Sequence, residues 1–414
     1  MTLARTHSWP EGHWDWPIHL SHKHGLRCGD MIFVGGQVDL DSSGNVRHAG
    51  DLATQTIEVM AYMGRVLEGF DADLADVVML TAFYVNDGTV DEDAFIASIG
   101  TTLPLGATPA ITAVALPYLA YEGMLVEIEA TAMRGADGAR LARDTASPDG
   151  LAPLPAPFVQ GVRCGEMIFV SGQSARDATG AVVSPGDVLA QSEMLMENIG
   201  TVLAAFGADH NDSVRFRMYY AAGGTADQWE GAARVRASYF TEPGPAATGL
   251  PVEYLAPIGA MARMELIAML GTDGERLPRE HAWPEGHWDW PIHLPYKHGI
   301  KCGNMIYLGG QVSLTPEAEV IDPGDMPAQT HTAMANIVKV LDLLGANLDD
   351  VVKVGAFYAA GCGPEALHAN LKIRSDSFTE PGPASTGIPL SYLAFVDMVV
   401  EFEIIAMAEP KETS

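Results

Sequence analysis

The stretch Arg27–Gln37, RCGDMIFVGGQ, is written three times in this chain. It returns as RCGEMIFVSGQ at Arg163–Gln173 and as KCGNMIYLGGQ at Lys301–Gln311. Each copy reads as a basic residue, a Cys-Gly turn, a short buried strand (Met31 to Val34 in the first) and Gly-Gln. β-branched and aromatic residues bounded by Gly mark a strand, and Gly directly after it marks the close approach of another backbone. Self-similarity of this kind divides the chain into homologous modules, and 414 residues suffice for three separate cores.

The modules share one order of elements. In the first, Asp51 to Phe70 carries Leu52, Val59, Met63, Val66, Leu67 and Phe70 near helical spacing, with Asp51 as its cap. Asp76 to Val85 reads as a strand, Asp91 to Thr101 as a second helix, and Ala110 to Leu116 and Met124 to Met133 as strands. In the last of these Val126 and Ile128 face one way, Glu127 and Glu129 the other. The long helix recurs at Asp187 to Phe206 and Asp325 to Leu343, so Gln55, Gln191 and Gln329 correspond. Gly135 to Gly150 and Thr272 to Glu280 read as polar linkers. The expected domains are therefore 1–135, 150–271 and 281–410, each an α+β module with its helices on one face of a sheet.

A net charge of −29 repels nucleic-acid phosphate and anionic membrane surfaces, so neither is expected as a partner. No apolar run reaches membrane-spanning length and the N-terminus lacks a signal-peptide core, which makes a cytoplasmic location the expectation. Cys28, Cys164 and Cys302 read as small buried hydrophobes, and no metal-like cysteine spacing occurs.

A second motif, WPEGHWDWPIHL, spans Trp9–Leu20 and returns letter for letter at Trp283–Leu294, but is missing from the middle repeat. Two prolines disfavour a helix, so an extended arm is expected, with Glu11, His13 and Asp15 on one side and Trp14 and Trp16 on the other. It reads either as a packing arm or as a lid whose His13–Asp15 and His287–Asp289 pairs, with Trp14 and Trp288, contact a ligand. The following Lys-His-Gly turns offer Lys23, His24, Lys297 and His298 as charges for the same cleft, or as plain surface turns. His13, Asp15, His19, His22 and His24 also permit a metal reading, but their spacing fits no standard site; no metal and no cofactor is expected.

The order of a basic residue with Gly-Asn-Met-Ile-Tyr and Gly-Gly-Gln, then D-x-x-x-Q-T, N-I-x-x-V-L, PA-x-T and a closing E-x-E strand resembles the RidA/YjgF family, also labelled L-PSP endoribonuclease-like. The resemblance implies chorismate-mutase-like domains that assemble as trimers with sites in the clefts between neighbours. Three copies on one chain then imply a single-chain pseudo-trimer, with further self-association left open. It also implies hydrolysis of enamines or imines, with an Arg clamping the substrate carboxylate, a Glu positioning water and a Tyr lining the site. The family Arg falls at Ile111, Ala247 and Ser385. The family Glu falls at Glu127 and Glu401, and at Arg263 in the middle repeat. The family Tyr falls at His22, Phe158 and Tyr296.

The expected catalytic residues are thus Glu127, Glu401, His22 and Tyr296. Glu127 and Glu401 read equally as a solvated or barrel-lining face. Arg263 reads as an ion pair to a neighbouring domain or as a relocated clamp. The function expected is hydrolysis of a small nitrogen-containing molecule (imine, enamine or amide) that is neutral or cationic, since the strand positions hold no Arg. The alternatives are a non-catalytic small-molecule binding protein on the same scaffold, and a cyclic-amide hydrolase laid out like cyanuric acid hydrolase. For the last, no Ser and Lys recur at equivalent places in all three repeats.

Overall fold

In the computed structural model, residues 3–16, 18–221 and 226–409 are described. Domain 1 runs β1 (Arg5–Ser8), β2 (Gly25–Cys28), β3 (Met31–Gln37), α1 (Leu52–Glu68), β4 (Val77–Val85), α2 (Glu92–Gly100), β5 (Ala110–Leu116) and β6 (Val126–Met133). Domain 2 repeats this with β7 (Asp144–Ala146), β8 (Gly161–Cys164), β9 (Met167–Ser174), α3 (Val188–Ala204), β10 (Ser213–Tyr220), α4 (Ala226–Ala237), β11 (Ala246–Pro251) and β12 (Ala262–Met269). Domain 3 has β13 (Arg279–Ala282), β14 (Gly299–Cys302), β15 (Met305–Gln311), α5 (Met326–Leu343), β16 (Val351–Ala359), α6 (Gly363–Asp376), β17 (Ala384–Leu390) and β18 (Val400–Met407).

Each sheet has six strands, ordered β1-β2-β3-β6-β4-β5 in domain 1, with β4 and β5 parallel and the other pairs antiparallel. The stretch read as a first linker contains β7, which pairs with β8 and supplies the edge of the second sheet. The second linker likewise runs into β13. The long helices lie on one face of each sheet, and Val66, Val202 and Val340 anchor the three separate helix–sheet cores. Asp51, Asp187 and Asp325 cap these helices through their first-turn N–H groups, which otherwise lack partners.

The recurrent Gln four residues after each cap ties helix to sheet. Gln55 donates to the Gly123 carbonyl at 2.8 Å and accepts from the Leu125 N–H at 2.8 Å. Gln191 and Gln329 do the same before β12 and β18. This pins the start of the strand that carries Glu127 or Glu401.

The other faces of the sheets meet in a shared core that includes Phe33, Phe169 and Tyr307. Strand β5 lies beside β9, β11 beside β15, and β17 beside β3, so the three domains close a ring. Glu129 and Glu403, the second Glu of their E-x-E strands, and Glu265, two residues after Arg263, point into its centre. There Glu129, Glu265 and Glu403 meet Arg215 and Arg217 of domain 2 and Lys353 of domain 3. Three carboxylates face three cations, none of the cations from domain 1. Buried charges persist only when paired in this way, and the unequal contributions distinguish the three domains from one another.

Candidate active site

Each junction in the ring holds a cleft. Cleft 1/3, between domains 1 and 3, encloses a cavity of about 50 Å³; cleft 3/2 encloses about 60 Å³ and cleft 2/1 about 30 Å³. The repeated Gly-Gly of the strand motif builds clefts 1/3 and 3/2; the middle repeat has Ser171-Gly172 in its place. A Cβ at Gly35 or Gly309 would collide with the backbone of Ser385 or Ala247 in the neighbouring domain. A Cβ at Gly36 or Gly310 would overlap the carboxyl group of Glu127 or Glu401. The first glycine admits the neighbour and the second admits the carboxyl.

Glu127 lines cleft 1/3 and Glu401 lines cleft 3/2. Burial pushes each carboxyl up to about 8. The Gly387 N–H facing Glu127 opposes that shift, whereas Glu129 two residues away adds to it. Glu403 raises Glu401 in the same way. Glu129 and Glu403 are themselves held in the ionised range by the cations at the ring centre, against their burial. The strand therefore carries two unlike carboxyls: a charged one at the axis and one poised near neutrality in the cleft.

The arms form no regular strand. Gly12 and Gly286 turn them in the left-handed region, and His13 and Trp14 are both buried. The expected alternation of faces is therefore not found. His13 Nε2 lies 2.8 Å from Gln37 Oε1, and Trp14 Nε1 donates to the same oxygen. The His24 ring sits 4.1 Å from that of His13 and bonds the Trp14 carbonyl. His287, Trp288 and His298 repeat the arrangement around Gln311, without the Trp Nε1 bond. Asp15 and Asp289 are exposed and accept from the N–H of Trp16 and Trp290.

The Lys-His-Gly turns clasp the next domain. Lys23 and His19 both meet Glu380, at 2.9 and 3.2 Å; Lys297 and His293 both meet Glu242, at 2.6 and 3.1 Å. Of the arm and turn residues expected at a ligand, Trp14 and Trp288 line the cavities. His13, His24, His287 and His298 support the arms, while Lys23, Lys297, Asp15 and Asp289 lie outside the cavity walls. Among the described residues no three His, Cys, Asp or Glu converge as metal ligands would. His22 and Tyr296, at the position where the resemblance places Tyr, do line clefts 1/3 and 3/2. Burial drives the His22 imidazole down to about 3, so it is neutral.

Two arginines outside the sequence reading stand at these clefts, Arg236 in the wall of cleft 3/2 and Arg374 behind Ser385 of cleft 1/3. Arg374 on α6 donates to Asn370 Oδ1 at 3.0 Å and to Ser385 Oγ at 3.4 Å. Arg236 on α4 lines cleft 3/2 opposite Ala247 and Glu401, and donates to Ser192 Oγ. Both are buried without a carboxylate partner among the described residues; burial pulls Arg236 down and Arg374 down to about 10. Tyr358 and Tyr220 stand beside them, each in the field of the cleft's Glu and Arg. A signal was present: VRASYFTEPGP at 235–245 and IRSDSFTEPGP at 373–383 share the Arg, while α2 of the first repeat has none.

Cleft 2/1 differs. Arg263 occupies the place of the cleft Glu, and pairs with Glu92 of domain 1 at 2.6 Å. Arg176 pairs with Asp93 beside it, and Gln160 bonds Gln173 where the other domains use an arm histidine. Arg263 is thus already bound by a neighbouring acid.

With these clefts described, comparison with known proteins defines the class. The profile of the family described as Endoribonuclease L-PSP matches residues 19–134, 151–270 and 291–408. The chain belongs to that family, with three copies of its domain, and the RidA/YjgF motif order identifies the same family. A RutC family protein of Pyrococcus abyssi is 35% identical over 115 residues, covering 28% of this chain and 87% of its own length. A protein named 2-iminobutanoate/2-iminopropanoate deaminase from Dermatophagoides farinae is 28% identical over 115 residues, covering 28% and 87%. Its namesake from Escherichia coli K12 is 26% identical over 113 residues, covering 27% and 87%. Among solved structures, a chorismatase aligns with 80% of this chain and 93% of its own at a TM-score of 0.53 and 15% identity, a likeness of fold. Among the described residues no helix is long and apolar enough to cross a membrane.

Proposed function

We propose that the chain is a hydrolase of small imines, enamines or related C–N compounds, with two composite active sites, clefts 1/3 and 3/2. One observation carries this reading. An arm and a buried cleft Glu on one domain always meet a buried, unpaired Arg on the next, and cleft 2/1 lacks all three. Random drift of three repeats would not keep the two halves of a site together.

In this reading the ionised Glu127 or Glu401 accepts a proton from water as the water oxygen bonds to the imine carbon. The same carboxyl returns that proton to nitrogen, giving a carbinolamine; the carboxylate then takes the carbinolamine hydroxyl proton and passes it to nitrogen as the C–N bond breaks, leaving a carbonyl compound and ammonia. Arg236 offers positive charge in the wall of cleft 3/2 near Ala247, and Arg374 offers it to cleft 1/3 from behind the Ser385 hydroxyl. A guanidinium there favours a substrate bearing a carboxylate over the neutral or cationic one expected from the strand alone. Two relatives named 2-iminobutanoate/2-iminopropanoate deaminase, matched over 28% and 27% of this chain, support such a substrate.

The test is loss of 2-iminobutanoate generated in situ by an amino-acid oxidase, measured above the buffer rate. Catalysis by the intact chain, abolished in a folded Glu127→Gln/Glu401→Gln variant, is the expected result. Full activity in that variant removes the carboxyl from the mechanism. Tight binding of 2-oxobutanoate without any turnover would instead make the chain a binding protein.

A further inference from the structure

The two clefts share arms identical in sequence, the same Glu-on-Gly geometry and an Arg from the neighbouring helix. Among their differences, three places that line the cavities change polarity. Cleft 1/3 has His22, Tyr121 and Ser385; cleft 3/2 has Tyr296, Phe395 and Ala247. At these places cleft 1/3 offers an imidazole, a phenol and a hydroxyl, and cleft 3/2 a phenol and two apolar groups.

The state of these groups sharpens the contrast. His22 is completely buried, and neither ring nitrogen makes a well-formed hydrogen bond, the Pro383 carbonyl being nearby. A neutral imidazole is both donor and acceptor, so His22 presents an unused pair of polar atoms to that wall. Ser385 stands between the cavity and Arg374, its hydroxyl already receiving the guanidinium at 3.4 Å. In cleft 3/2 the Tyr296 ring packs edge-on to Phe216 and Phe240, with centroids 5.0 and 5.9 Å away. Its hydroxyl, in the field of Arg236, is buried without a hydrogen-bond partner, so cleft 3/2 has one such polar atom where the His22 ring gives cleft 1/3 two. Phe216, Met218 and Met398 complete an apolar lining.

We infer that the two clefts select different side groups on the same kind of acid: cleft 1/3 a ligand with a hydrogen-bonding side group, cleft 3/2 one with an apolar side group. The inference rests on the reading of both clefts as ligand sites and deepens it by assigning each a substrate class. A site that hydrogen-bonds a ligand hydroxyl rejects the methyl analogue because its own buried polar atoms are left unpaired, whereas an apolar pocket gains from the methyl. The matched pair 3-hydroxypyruvate and 2-oxobutanoate, which differ by hydroxyl for methyl, isolates this difference.

Crystals of the full chain soaked separately with each compound show which cleft each enters, and calorimetry gives the two affinities. The expected result is 3-hydroxypyruvate in cleft 1/3 and 2-oxobutanoate in cleft 3/2, each preference on the order of tenfold or more. In the Tyr121→Phe/Ser385→Ala variant the preference of cleft 1/3 for 3-hydroxypyruvate shrinks while that of cleft 3/2 is unchanged. Equal occupancy of both clefts by both compounds overturns the inference, as does failure of both to bind. The predicted split without imine turnover supports it and removes only the catalytic reading.

Discussion

The Arg374 guanidinium on α6 lies 3.4 Å from the Ser385 hydroxyl on β17. Ser385 is the place on the strand where the family resemblance puts an Arg. The charge missing from the strand thus arrives at the same point from the helix beside it, and Arg236 does likewise opposite Ala247 in cleft 3/2. The substitution is invisible to a residue-by-residue transfer of the family motif, because the guanidinium keeps its place in space but not in sequence.

A buried Arg with no carboxylate partner costs stability, and under the proposed function it is retained to bind substrate. Replacing Arg374 and Arg236 by Met, of similar length, should leave folding stability unchanged or raise it by about 1–3 kcal/mol, since an apolar side chain removes a desolvation penalty. The same variants should lose at least about tenfold in KM for an anionic imine, the cost of one charge-assisted contact. Urea unfolding alongside steady-state kinetics reads both. Destabilisation with normal kinetics would make these arginines structural.

Arg263 predicts the reverse. It is paired with Glu92 in a wall where both side chains are about 5% exposed. Arg263→Met leaves the Glu92 carboxylate buried, with the Tyr84 hydroxyl at 3.0 Å as its remaining side-chain partner among the described residues. The variant should lose about 3–5 kcal/mol, and adding Glu92→Gln should recover much of that loss. Turnover in clefts 1/3 and 3/2 should stay within about twofold per folded molecule. A large fall in kcat without a fall in stability would place Arg263 in a site.

The repeated motif made the modules legible because strand pattern, Asp caps and Gly-Gly are local signals, each required by the geometry of one domain. The strand face of Glu127 and Glu129 was legible from period two. What period two cannot tell is that Glu129 reaches a buried charge cluster at the ring axis, since its partners Lys353 and Arg217 come from other domains. The arms were visible as a repeat, but their role was not. Spacing could not show that the His13 and His24 rings lie 4.1 Å apart at a tilt, with His13 held on Gln37. Arg374 and Arg236 were missed because a lone Arg in an amphipathic helix looks solvated; only its recurrence before the FTEPGP loop in repeats two and three, and not one, marked it.

Those buried histidines set the acid limb of stability. Burial holds His13 down to about 4, His22 and His298 down to about 3, and His24 well below its ordinary value. Below about pH 6.5 the unfolded chain binds protons that the folded chain refuses, so stability falls as pH drops, by roughly 1.4 kcal/mol per unit per group until each folded value is passed. Glu127 and Glu401 act in the opposite sense. Raised to about 8, they favour the protonated folded state, so their contribution is full below the unfolded carboxyl value and is lost as pH rises through 8. Four histidines outweigh two carboxyls in the acid range, which places the stability maximum near pH 6.5. Calorimetric Tm values from pH 4 to 9 check this; a maximum below pH 5 would contradict it.

The same carboxyls fix the direction of the rate profile. A carboxyl at about 8 is mostly protonated at pH 7, and only its ionised fraction can take a proton from water. If Glu127 and Glu401 are bases, kcat/KM for an imino acid should climb with pH and level off above about 8. A profile that falls through pH 8 would show that the protonated form is the working one, as an acid, and would overturn the base role. The two clefts can also be told apart. The Lys353 ammonium at the ring centre draws Glu127 downward, whereas the charge acting on Glu401 is the neighbouring Glu403 carboxylate. Replacing Lys353 by Met removes a cation from the surroundings of Glu127 alone. In a Glu401→Gln background, where cleft 1/3 does the work, Lys353→Met should move the ascending limb to higher pH. In a Glu127→Gln background, where cleft 3/2 does the work, the limb should stay where it is. Equal displacement in both backgrounds would mean that the ring-centre charges act on the whole assembly, and that the chemistry of a cleft cannot be tuned from one domain at a time.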